Sequence, residues 1–253
     1  MRGICVLLLP VVINLDAVQL KGPDPDWVQT TTRLEKAALD GASKELRAIR
    51  GELIQRLSAP GADEPALRYA IAYAVFRTVN LPDVADKERK DLLDDALTQL
   101  QQVVKRNPKD AEAHALLGTI YGLQIAESPM VRGMTLGPRA SGALARAAEI
   151  DGGNPRVLLL QGVSAYNTPA MFGGGMDKAE QLLRRSLERF AVEPRDKPWP
   201  NWGRFDAHVW LGRALLERGD RAGARAEYDK AREVAPNSGW LRYVLIPALE
   251  AKK

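Results

Sequence analysis

The chain has 253 residues, 45% hydrophobic and 27% charged, which excludes wholesale disorder and collagen-like structure and leaves room for one domain or two small ones. Lysine and arginine number 36 against 32 acidic residues, a net charge of +4, and the two signs alternate instead of forming a basic run; this is a solvated helical surface, not a nucleic-acid stripe. The single cysteine, Cys5, excludes an intramolecular disulfide framework and a cysteine-rich metal site.

Arg2 precedes an apolar run from Ile4 to Ile13, broken by Pro10 and followed by the small residue Ala17. A basic start, a short apolar centre and a small residue read as a secretory signal peptide over residues 1–17, so export to a periplasm or the extracellular space is expected. The competing reading is a misassigned start or a first buried strand. The run is well short of the roughly 20 residues that a membrane span needs, and no later stretch is long enough.

Helical vocabulary follows, because Ala, Leu, Arg and Glu lose little rotamer freedom in a helix. Residues 26–58 read as one or two helices. Asp26 is the expected cap, Leu46, Ile49, Leu53 and Leu57 recur at helical spacing, and Asp40-Gly41 is the candidate break. Four units then repeat one pattern. Ile71-Ala72 and Val75 are answered by Ala96, Leu100, Val103 and Pro108. His114, Leu117-Gly118 and Tyr121 are answered by Ala140, Leu144 and Ala147. Leu158, Gln161-Gly162 and Ala165 are answered by Ala179, Leu183 and Ser186. His208, Leu211-Gly212 and Leu215 lead through a Gly219-Asp220 turn to Ala224, Tyr228, Ala231 and Pro236. Small residues let two antiparallel helices approach, a large one fills the space beside them, and Pro ends the unit. Residues 239–253, with Trp240, Leu241, Val244 and Leu245, read as a helix covering the last apolar face.

In the fourth unit this spacing resembles the tetratricopeptide repeat, departing only in having His208 at the first large position. The resemblance implies an all-α, TPR-like solenoid of about four helical hairpins over residues 65–238. From the small residue of the first helix to the Ala of the second, the fourth unit runs from 212 to 224. The others run from 162 to 179, 118 to 140 and 72 to 96, so expanded links are expected inside those repeats.

The resemblance also implies a concave groove lined from fixed positions of each first helix. Carried onto this chain, these are Tyr69, Tyr73, Phe76 and Arg77, then Thr119 and Leu123, then Arg156, Tyr166 and Asn167, and finally Arg213. Tyr supplies contact area at low entropy cost and Arg makes charge-assisted bonds to carboxylates, so an extended peptide or an acidic C-terminus would suit such a groove. The other reading puts the first unit out of register and its tyrosines in the core. Trp199 and Trp202, between prolines, either anchor a partner or plug the edge between two repeats.

His114 and His208 share a register position in different units and read as packing residues, not a metal pair. Gly173-Gly174-Gly175 lacks the Gly-Lys-Ser/Thr ending of a phosphate loop and reads as a tight connection, with Asp177 as N-cap and Phe172 tucked over the hairpin. No nucleophile–base constellation emerges, and no metal or cofactor is expected. The function expected is a non-catalytic scaffold or adaptor for a protein or peptide, without nucleic acid. The Gly-Gly step before a helix is also similar to one in periplasmic helical-repeat subunits of TRAP-type transporters. That likeness implies an alternative, a solute-binding or transporter-accessory protein with a pocket or pore between repeats.

Overall fold

A computed structural model describes residues 24–251; the expected signal segment, residues 1–17, lies outside them. Five helical hairpins follow one another: α1 (Pro25–Asp40) with α2 (Ser43–Leu57), α3 (Glu64–Thr78) with α4 (Asp86–Arg106), α5 (Ala111–Glu127) with α6 (Pro129–Asp151), α7 (Pro155–Asn167) with α8 (Met176–Val192), and α9 (Arg204–Glu217) with α10 (Arg221–Val234). A π-helical turn, Leu241–Leu245, runs into α11 (Ile246–Glu250) and covers α10. The described residues contain no strand. The odd-numbered helices up to α9 form the inner row, and the even-numbered ones up to α10 pack behind them. The described residues form an all-α solenoid of helical hairpins.

Local chemistry starts the helices. Asp63 accepts a hydrogen bond from the Ala66 N–H at 3.3 Å, Asp110 from Ala113 at 2.9 Å, and Asp220 from Gly223 at 2.8 Å. Asn154 accepts from both Arg156 and Val157. Each bond satisfies an N–H that has no partner inside its helix. Asp24, not Asp26, caps α1, because the helix begins at Pro25 and Asp26 already lies in its first turn. At Gly41 the backbone turns left-handed (φ 67°) and separates α1 from α2.

The small residues sit where paired helices touch. A Cβ on Gly118 would lie 2.8 Å from Leu144 Cγ, one on Gly162 2.8 Å from Leu183 Cγ, and one on Gly212 2.4 Å from Tyr228 Cε1. The extra residues of the second unit lengthen its helices instead of a link: α6 reaches back to Pro129, so α5 and α6 meet across Ser128 alone. In the third unit the extra residues do form a connection. Gly174 is packed so closely there that a Cβ would come 2.1 Å from the Thr168 carbonyl oxygen. Gly175 takes the N-cap position of α8, Asp177 falls within the first turn, and Phe172 stays 72% exposed, so neither the expected cap nor the expected cover is found.

Gly212→Ala is expected to cost about 1–3 kcal/mol, because its methyl overlaps the Tyr228 ring. Gly122→Ala, in open space on α5, is expected to stabilise by about 0.5–1 kcal/mol. Urea unfolding checks both; equal effects would contradict the close approach of α9 and α10.

Candidate binding surface on the inner face

The inner face divides into a sealed part and an open part. Links from an outer helix to the next inner helix are short at residues 107–110 and 152–154, but the link between α8 and α9 spans residues 193–203. This segment turns into the concave side and fills it. Trp199 meets Trp27, Tyr69 and Tyr73 edge-on, with ring centroids at 5.6, 5.4 and 6.0 Å. Trp202 lies 4.9 Å from Tyr73 and 6.2 Å from Phe76 and is 1% exposed. Such pairs contribute about 0.5–1.5 kcal/mol each beyond area burial.

Ions fasten the segment at its start. Arg156 is fully buried and donates two hydrogen bonds to Glu193, at 2.7 and 2.9 Å. Its guanidinium also lies over Phe190 and Trp202. Burial opposes the charge on Glu193, but Arg156 and Lys197 outweigh it and hold this carboxyl below the usual carboxylate range. Lys197 donates to the Pro200 carbonyl at 2.8 Å and lies 3.3 Å from Glu193. Glu112, pushed up by burial, accepts from Asn154 at 3.0 Å.

A second cluster closes the channel between the second and fifth hairpins. Arg77 of α3 pairs with Asp206 of α9 at 2.7 Å and also donates to the Ala38 carbonyl. Tyr73 donates to Glu35 at 2.8 Å. Burial pushes Glu35 up against the opposing pull of Arg77, and it pushes the Tyr69 and Tyr73 hydroxyls up as well.

Tyr69, Tyr73 and Arg156 were expected to line an open groove; they lie inside, at 5%, 0% and 0% exposure, because the long link folds back over them. Arg77 is likewise almost covered, its side chain 11% exposed, Phe76 is half-buried, and Trp199 and Trp202 point inward. Thr119 and Leu123 remain half-buried on α5, and Asn167 is exposed at the end of α7.

The open part belongs to the last two hairpins and the cap. The Arg213 guanidinium lies 4.9 Å from the Tyr166 ring and 4.3 Å from Trp210, and Trp210 meets Trp240 at 6.1 Å. All four side chains are half-buried. Among the described residues Arg213 has neither a hydrogen bond nor an ion pair. It is a cation held by aromatic faces with its donors unused. Sequence reasoning missed Trp210 as part of this surface, although a Trp three residues before Arg213 puts the two on one helical face. It also missed Glu35, whose spacing carries no signal. His208 bonds to Glu227 of the neighbouring helix at 2.7 Å, and His114 faces the Pro108 carbonyl at 3.2 Å.

The tetratricopeptide repeat family model matches residues 206–238. No curated protein matches. Among solved structures, the chain is similar to the HusA haemophore from Porphyromonas gingivalis, at 26% identity and a TM-score of 0.60 over 75% of this chain and 94% of that one. It is also similar to a thermophilic TPR protein of Thermus thermophilus, at 20% identity and a TM-score of 0.62 over 88% of this chain and 100% of that one. The family model thus matches the last repeat, and the solved structures share the helical-repeat fold of this chain. In this helical-repeat protein the long link sits between the third expected repeat and the repeat that the family model matches.

Glu35 gives a pH test. Its folded-state pKa lies above the usual carboxylate value, so its contribution to stability is present at low pH and lost as pH rises through that folded value. Glu35→Gln keeps an acceptor for Tyr73. Its melting temperature relative to the parent is expected to rise between about pH 4 and about pH 8. A difference that stays flat or falls would contradict the burial of this carboxylate.

Proposed function

We propose that the protein is a non-catalytic scaffold that captures a protein or peptide on the open aromatic surface around Arg213, after export from the cytoplasm. The observation that carries this reading is the unpaired guanidinium stacked between Tyr166 and Trp210. Stacking fixes the plane of the guanidinium at little further entropy cost and leaves its N–H donors free for a carboxylate. The adjoining indoles offer apolar area to the side chain beside that carboxylate. Thr119, Leu123 and Asn167 extend the proposed contact along the inner row, towards the sealed part. The likeness to a helical-repeat protein supports a protein partner. The apolar run at residues 4–13 is the support for export.

The likeness to a haemophore favours one second reading, a carrier of a flat apolar solute on the same rings. This is the solute-binding alternative with the ligand seated on an open face.

Affinity capture from an envelope fraction compares the parent with Arg213→Ala and Arg213→Lys. Arg213→Ala is expected to lose the captured protein at an unchanged melting temperature. Arg213→Lys is expected to recover little, since an ammonium offers neither the plane nor the paired donors. Capture unaffected by Arg213→Ala would overturn the scaffold reading, and a melting midpoint raised strongly by haemin would favour the carrier.

A further inference from the structure

The segment that fills the sealed part has the properties of a bound peptide. It has no helix or strand from Glu193 to Gly203, and it runs through the inner row that such solenoids present as a surface. It is much longer than the neighbouring links need to be, since residues 152–154 suffice to join α6 to α7. It is held as a ligand is held, by an acidic residue on a buried arginine and by two indoles in an aromatic box. Pro194, Arg195, Asp196 and Pro198 stay exposed, so its outer edge is accessible. The fit is incomplete: the indole N–H of both Trp199 and Trp202 is buried without a hydrogen-bond partner among the described residues, as is Arg156 Nε. An occupant whose donors go unused is held less tightly than its contact area suggests.

We infer that the channel beneath residues 193–203 is a second binding site, for an extended segment carrying an acidic residue followed by two tryptophans, and that the chain's own link occupies it as an exchangeable self-ligand. The buried cluster of Arg156, Tyr69 and Tyr73 is then the receptor for that segment. An outside segment of the same chemistry must first displace the link, so the site opens only to a competitor with comparable contacts. This site is separate from the surface around Arg213.

The probe is a fluorescein-labelled peptide of residues 193–204, titrated by anisotropy against the full chain. In one variant residues 194–201 are replaced by a Gly/Ser linker of equal length, which removes Trp199 and keeps Trp202. In the other, Lys197→Ala weakens the ion pairs of the link and leaves both tryptophans. The peptide is expected to bind each variant at least tenfold more tightly than the parent, and a peptide with both tryptophans changed to alanine is expected to bind neither. If the linker variant fails to fold by circular dichroism, the Lys197→Ala comparison decides alone. Equal binding of the peptide to parent and Lys197→Ala, or no binding to a folded linker variant, would overturn the inference.

Discussion

The packing of Trp199 and Trp202 against Tyr73 governs the shape of the inner face. A solenoid of stacked hairpins leaves its inner row uncovered, because each unit buries apolar area only against its neighbours. Here the second hairpin would expose Tyr69 and Tyr73. The long link supplies the missing neighbour, and Trp202 becomes one of the largest fully buried side chains. With the channel filled, Arg77 and Asp206 meet across 129 positions of sequence. The solenoid is thereby tied between its second and fifth hairpins.

That arrangement has an electrostatic consequence. Filling the channel with indole removes water from Glu35, Glu112, Arg77 and Arg156. A buried ion is costly unless it is paired: Arg77 pairs with Asp206, Arg156 with Glu193 and Glu112, and Glu35 accepts a hydrogen bond from Tyr73. Arg156 shows the balance: its charge is satisfied by Glu193, while its Nε and two nearby indole N–H groups are not satisfied among the described residues. An orphaned donor of this kind costs about 1–3 kcal/mol. The sealed half is therefore rigid in its aromatic packing and imperfect in its polar bonding. The open half carries Arg213, a cation without a hydrogen bond or ion pair among the described residues, on two rings at the surface.

The helical repeat was legible because each hairpin must bring a small residue against its opposite helix. Gly118, Gly162 and Gly212 mark that requirement locally, within a few turns of sequence. Open surface was less legible. Register positions place Tyr73 and Arg213 alike on the inner row, yet one is buried and the other is half-exposed. The difference comes from a link more than a hundred residues after Tyr73, and no periodic signal encodes which stretch of a solenoid a distant loop will cover. Trp199 and Trp202 were recognisable as a plug or an anchor, but their target was not. The N-cap of α8 differs from the expected Asp177 for a smaller reason: Gly175 can adopt the φ of 103° that the turn into this helix requires.

The most direct measurement is fluorine NMR of the chain labelled with 5-fluorotryptophan, each resonance assigned by a single Trp→Phe substitution. The filled channel predicts that the Trp202 resonance lies away from the free amino acid and shows almost no shift between light and heavy water, while Trp210 shows a clear one. A Trp202 resonance at the free position, with a full solvent isotope shift, would mean that the channel is open and would contradict the account.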